Sequence, residues 1–145
     1  SDNSYEILEK RWKMLKELYV RTGSRTEMIR IEDKVSSVIA ESSISEGTCV
    51  LWVPHTTAAV TINENADPHV TEDILKEMNK VVPFSDGYKH AEGNSAAHIK
   101  SSLISPSLTL IITSGRIVLG TWQSIYFCEF DGPRTRRLLV KAVEG

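Results

Sequence analysis

Short runs rich in β-branched and aromatic residues recur along this chain, and no regular alternation with helices organises them. "ELYVRTG", "RTEMIRIE", "TCVLWVP", "SLTLIIT", "GRIVLG", "WQSIYFCEF" and "RTRRLLVKAV" read as strands, as does the middle of "PHTTAAVTINEN". Helical patterns interrupt them irregularly. Residues 4–16, "SYEILEKRWKMLK", place Ile7, Leu8, Trp12 and Leu15 at helical spacing. Asp33 is a capping residue for "DKVSSVIAESS", and Asp67-Pro68 opens a helix that runs to about Lys80 and stops before Pro83. A loop from Phe84 to Gly93 leads into a short helix, "SAAHIKSSLI". This irregular order excludes a doubly wound fold and predicts α+β, with a mixed or antiparallel sheet and a few helices. With 145 residues and no linker or repeat, the expectation is one compact domain over 1–145, whose N-terminal helix and first strand occupy 1–21.

Charge and hydropathy narrow the partners. A net charge of −2 gives no global attraction to nucleic acid or to an anionic membrane. The apolar runs, the one around Leu108 to Ile112 among them, are too short to cross a bilayer. No charged-then-apolar leader opens the sequence, so a cytoplasmic location is expected. Cys49 and Cys128 both sit in apolar strand-like runs and read as buried thiols, in keeping with a reducing compartment.

Three polar clusters carry candidate chemistry. In "PHTTAAVTINEN" a half-apolar strand is bounded by His55, Thr56 and Thr57 on one side and by Asn63, Glu64 and Asn65 on the other. If residues 55–63 stay extended, His55, Thr57, Ala59, Thr61 and Asn63 share one small polar face, either a cavity wall or a solvent-facing stripe. In "HAEGNSAAH", Gly93 permits a left-handed turn and Asn94 or Ser95 can cap the helix that follows, a place where phosphates bind. Three of the four histidines, His55, His90 and His98, fall in these two clusters, and imidazole is the commonest zinc-like ligand. The third cluster, "GTWQSIYFCEFDGPR", holds Glu129 among bulky apolar groups. A carboxylate buried there needs an arginine, a histidine or a metal as partner. Arg134, Arg136 and Arg137 beyond it either hold phosphate or form a solvated strand edge.

"HTTAAVTINENADP", "HAEGNSAAHIKSSLISPSLTL" and "GRIVLGTWQSIYFCEFDGPRTRR", in this order, closely resemble the YjbQ family over about residues 22 to 143. The resemblance implies a compact α+β fold assembling as a homotrimer, with a polar pocket near a subunit boundary. It implies a divalent metal, zinc or magnesium, on His55, His90 and His98. Its polar motif residues fall on Asn63, Glu64, Glu92, Asn94, Gln123 and Glu129. Position 96 is alanine, where the motif carries aspartate in some members.

The family's usual label is secondary thiamine-phosphate synthase, regarded as a side activity. The implied reading is an enzyme of small phosphorylated metabolites, with Glu92, Glu129, Asn63, Glu64 and Gln123 as catalytic candidates. Gly93, Asn94, Ser95, Thr56, Thr57 and Arg134 are then the anion-binding candidates. Such a transfer needs a cation on the diphosphate and donors for phosphate. Dedicated synthases of this kind are barrels of ~250 residues, a fold for which this chain is too short. Two alternatives stand beside this reading: a metal-dependent hydrolase with Glu92 or Glu129 as base, and a trimeric metal- or ligand-binding protein without turnover.

Overall fold

The computed structural model describes residues 15–145. Its strands are β1 (Leu15–Arg21), β2 (Glu27–Arg30), β3 (Gly47–Trp52), β4 (Ala58–Glu64), β5 (Ser107–Thr113), β6 (Arg116–Ile117), β7 (Gln123–Glu129) and β8 (Thr135–Glu144). Its helices are α1 (Glu32–Ser42), α2 (Pro68–Val81) and α3 (Ser95–Ile104). The strands form two sheets, one in the order β1-β8-β3-β5-β6 and one in the order β2-β7-β4. Every pairing is antiparallel, so the fold is α+β as the irregular succession of elements predicts.

Alternation builds the larger sheet. In β3, Cys49 and Leu51 point inward while Thr48, Val50 and Trp52 point out. In β8, Arg136, Leu138, Val140 and Ala142 are buried in turn. The inward residues of β3, β5 and β8 meet Val60, Ile125 and Phe127 of the smaller sheet in one core, which α1 completes with Val35, Val38 and Ile39. The other side of the smaller sheet carries a second cluster, Ala59, Tyr126, Cys128 and Phe130, covered by Ala97 of α3. Strand β7 is therefore buried on both faces. Such a strand loses about 3–5 kcal/mol when a core aromatic such as Phe127 is truncated to alanine.

The two thiols divide between these layers, Cys49 in the first core and Cys128 in the second. Burial pushes them up to about 11 and about 12 respectively, so neither is a ready nucleophile.

Several local expectations change. Most of the helix expected over 4–16 lies outside the described residues, but Leu15 and Lys16 begin β1, paired with Lys141 and Val140. Helix α1 starts at Glu32 rather than after Asp33; Ile31 is its N-cap and no side chain caps it. "GRIVLG" yields only the two-residue β6, because the chain turns at Gly120, whose N–H is taken by Gln123 Oε1 at 2.8 Å. Asp67 does cap α2, accepting from His69 N–H at 2.9 Å, with Pro68 in the first turn. Among the described residues no helix is long and apolar enough to cross a membrane.

Candidate functional site

Glu129 ends β7 opposite Ala58, where β4 begins, and it is wholly buried. Its partner comes from the other sheet. Arg136 lies on the inward face of β8, and its Nε donates to Glu129 Oε1 at 2.9 Å and Oε2 at 3.1 Å. The arginine's Nη2 also donates to Thr57 Oγ1 at 2.8 Å and Thr57 O at 3.1 Å. Thr22 Oγ1 donates to Glu129 Oε1 at 2.8 Å, and the Asp131 N–H donates to Oε2 at 3.1 Å. Burial alone would raise the carboxyl; the hydrogen bonds from Arg136, Thr22 and the Asp131 backbone carry it below its ordinary value. Both oxygens are thus engaged, and Glu129 is built to hold Arg136 rather than to accept a substrate proton. The adjoining turn is equally tight. A Cβ at Gly132 would lie 2.3 Å from Ser24 O and 2.9 Å from Thr22 Oγ1.

Over this pair opens a cavity of about 580 Å³. Pro54 to Thr57 form one wall, the Glu92–Asn94 turn and His98 a second, and Asp131 with Arg134 a third. Gly93 takes φ +77°, in the left-handed region, which turns the chain into α3. Asn94 is the N-cap of α3, yet its side chain makes no cap hydrogen bond. Its Nδ2 donates instead to Asp131 Oδ2 at 3.0 Å, and its buried Oδ1 has no partner. The first N–H groups of α3, at Ser95 and Ala96, are left as donors at a positive helix end. Arg134 is held over the cavity by Asp131, with Nη2 3.1 Å from Oδ2 and Nε 2.9 Å from its carbonyl.

The histidines take three different stations. His55 Nε2 accepts the Arg137 N–H at 2.9 Å, which leaves Nδ1 as its free ring position. Desolvation, then the charges of Arg136 and Arg137, hold His55 below its ordinary value and keep it neutral near pH 7. His98, one turn into α3, faces the same cavity. His90 packs edge-on against His98 with ring centroids 5.3 Å apart, and its Nε2 is 3.7 Å from Glu92 Oε2. Among the described residues no group of three or more His, Cys, Asp or Glu side chains is placed to hold a metal ion. Among the described residues the side-chain donors therefore do not close a coordination shell.

The strand register separates the remaining candidates from this cavity. Glu64 pairs with Gln123 at the far end of the ladder that joins Ala58 to Glu129, about 20 Å away at ~3.3 Å per residue. There Asn63 Oδ1 accepts the Glu64 N–H, the Glu64 carbonyl accepts from Tyr126 Oη, and Gln123 holds the Gly120 turn. The polar face read across residues 55–63 is also broken. Residues 55–57 precede β4, and Ala59 packs under α3 in the second cluster instead of lining a cavity. Asp131 was not among the residues singled out for chemistry, and Arg136, read as a phosphate holder or a solvated strand edge, is instead buried against Glu129. Arg136 carried a signal: it keeps the period of Leu138, Val140 and Ala142, which places it inside.

The match to known proteins is extensive. Residues 16–145 fit the family described as UPF0047 protein YjbQ-like. The chain is 50% identical over 129 residues to the UPF0047 protein YugU of Bacillus subtilis, covering 88% of this chain and 98% of that protein. It is 49% identical over 131 residues to a UPF0047 protein of Methanocaldococcus jannaschii, covering 90% and 95%. A crystal structure of an uncharacterized conserved YjbQ/UPF0047 protein from Clostridium acetobutylicum superimposes with a TM-score of 0.87 at 51% identity, covering 88% of this chain and 99% of that one. A YbjQ-like protein of unknown function from Sulfolobus solfataricus gives the same TM-score at 31% identity, with 90% and 96% covered.

Proposed function

Because this chain belongs to the UPF0047 family of YjbQ-like proteins, we propose that the Glu92–Asn94 cavity binds and transforms a small phosphorylated metabolite. The observation that carries this reading is the convergence of three sequence-distant motifs on one polar cavity. At its rim the N-terminus of α3 is left uncapped, because Asn94 turns its side chain to Asp131. The phosphoryl group sits against the Ser95 and Ala96 N–H groups, and Arg134 closes over it as a charged donor. Thr56 supplies a hydroxyl from the opposite wall, and the orphaned Asn94 Oδ1 accepts from a ligand hydroxyl or a bound water. His98 is the side chain placed for proton transfer at the reacting atom, with Glu92 beside it; Glu129 and Thr57 position Arg136 beneath.

A divalent cation, zinc or magnesium, remains part of this proposal. His98 with His90 or Glu92 offers donors at the rim, and phosphate oxygens of the ligand would complete the shell, as is usual for magnesium. Thiamine-phosphate synthesis and phosphoester hydrolysis are both reactions of this ligand class. Product analysis on a phosphorylated-metabolite panel, with and without chelator, separates them from binding without turnover. A homotrimer is proposed as the working assembly. Trp52, Val50, Ile111 and Val143 stand exposed on the outer face of the larger sheet, an apolar surface that neighbours would cover. Light scattering giving a mass near the monomer's 16.2 kDa would remove the trimer from the reading.

The binding test is titration calorimetry with inorganic phosphate and pyrophosphate. Arg134→Ala removes the cation and frees the Asp131 carboxylate, so affinity should fall about tenfold, the effect of losing ~1.4 kcal/mol from a charge-assisted contact. Unchanged affinity in this variant would place the anion elsewhere.

A further inference from the structure

Beside the polar cavity lies a smaller one of about 300 Å³, bordered by His55, Thr56, Ala58 and Pro106 and by His98, Ser101 and Ser102 of α3. His55, Thr56 and His98 border both, so the two spaces share that wall. Their chemistry differs. The larger is flanked by Glu92, Asp131, Arg134 and Arg136; among the described residues the smaller is bordered by no carboxylate, lysine or arginine.

Ser101 gives the smaller cavity its one unexplained feature. The residue is 6% exposed, and its Oγ is buried with no hydrogen-bond partner among the described residues. Its neighbour on α3, Ser102, shows what a helical serine ordinarily does, donating back to the His98 carbonyl at 3.1 Å. Ser101 leaves the equivalent bond unmade. A buried hydroxyl without a partner is an uncompensated desolvation, and native structures keep few of them. Its remaining surroundings are Ala58, the Pro106 ring, two imidazoles and the side chains of Thr56 and Ser102, an uncharged lining that suits a compact, weakly polar group.

We propose that this cavity receives the uncharged body of the ligand whose phosphate lies in the larger one. The ligand class is then a phosphate monoester of a small ring or short-chain alcohol, carrying one hydrogen-bonding atom that meets Ser101 Oγ. This rests on the phosphate reading above and deepens it. Size sets the limit, since an apolar cavity of ~150 Å³ holds a benzene ring, and about 300 Å³ holds one substituted ring. A second phosphate is not accommodated, because that space has neither a cation nor the helix N-terminus to meet it. His55 and His98 stand at the junction of the two spaces, against the bond between the phosphate and its organic body.

The test uses the full chain and three probes: inorganic phosphate, phenyl phosphate and neutral 3-pyridinemethanol, each followed by calorimetry and by amide shifts. Wild type should bind phenyl phosphate about tenfold tighter than inorganic phosphate, the gain from burying a ring. Ser101→Val, which removes the hydroxyl and narrows the space by one methyl, should erase that preference while inorganic phosphate affinity stays within about twofold. Equal affinities in wild type, or a preference that survives Ser101→Val, would overturn the proposal. If Ser101→Val does not fold, Ser101→Thr, one methyl larger, replaces it with an expected loss of about threefold. If neither anion binds, the phosphate reading fails by itself and the neutral probe decides the cavity. Binding of 3-pyridinemethanol to wild type but not to the Ser101→Val variant sustains it; no binding to either ends it.

Discussion

At one end of the β4–β7 ladder Glu129 lies fully buried, ion-paired to Arg136 and held by Thr22, with a cavity above it. At the other end Asn63 and Gln123 stand in solvent, while a looser chain of contacts runs inward. Asn65 Nδ2 donates to Ser124 Oγ, which donates to Glu32 Oε1 at 3.0 Å, and Arg30 pairs with the same carboxylate. Glu32 Oε2 is left buried without a partner. The two ends are about equally polar in sequence. One holds a saturated pair that fixes a cavity floor, and the other spends its polar groups on turns and strand ends. Polarity alone therefore does not mark a site; saturation beneath an open, under-satisfied rim does.

Breaking the saturated end should have the largest effect. Glu129→Ala leaves Arg136 buried and unpaired, and should cost about 3–5 kcal/mol in urea denaturation. A loss under ~1 kcal/mol would mean that the pair is solvated and the contrast between the ends false.

The next effect is set by pH. Because the Glu129 carboxyl is lowered in the folded state, its contribution is present above the unfolded value of 4.5 and is lost as pH falls through the folded value. His55 is also lowered, so its contribution is present above 6.5 and erodes as pH drops below that. Denaturation midpoints measured from pH 8 to 3 should decline in two stages, and Glu129→Gln should flatten the more acidic one.

At the far end Ser124→Ala removes a buried bridge between Asn65 and Glu32, for an expected loss of about 1–2 kcal/mol. Phosphate affinity should not move. The smallest effect belongs to Gln123→Ala, which frees one exposed N–H at Gly120 and should shift stability by ~0.5 kcal/mol or less. A change in phosphate affinity in either variant would join the two ends functionally, as a neighbouring subunit could do in a trimer.

Strand content and the antiparallel α+β class were legible because period-two runs in β3 and β8 bury one face each. The three motifs that reach the cavity were legible as clusters of polar residues, two of them beside glycine turns. Register was not. Whether Glu129 or Gln123 lies near His55 depends on which way β4 pairs with β7, and nothing local encodes that ladder. The face of Ala59 was misread for a related reason: α3 folds back onto β4, a packing that small residues permit but do not announce. The role of Glu129 was open between arginine, histidine and metal, and β8, from the opposite sheet, supplied the arginine.

The placement of the two cysteines has a practical consequence. Each thiol sits in a different layer, one between the sheets and one under α3, and neither reaches solvent in the native state. An alkylating reagent can modify either only during an opening of its own layer. Mass-resolved labelling at Cys49 and Cys128 would therefore time the parting of the sheets and the lifting of α3 as two separate clocks. If α3 lifts first, ligand at its N-terminus should slow the Cys128 clock and leave the Cys49 clock running at its own rate.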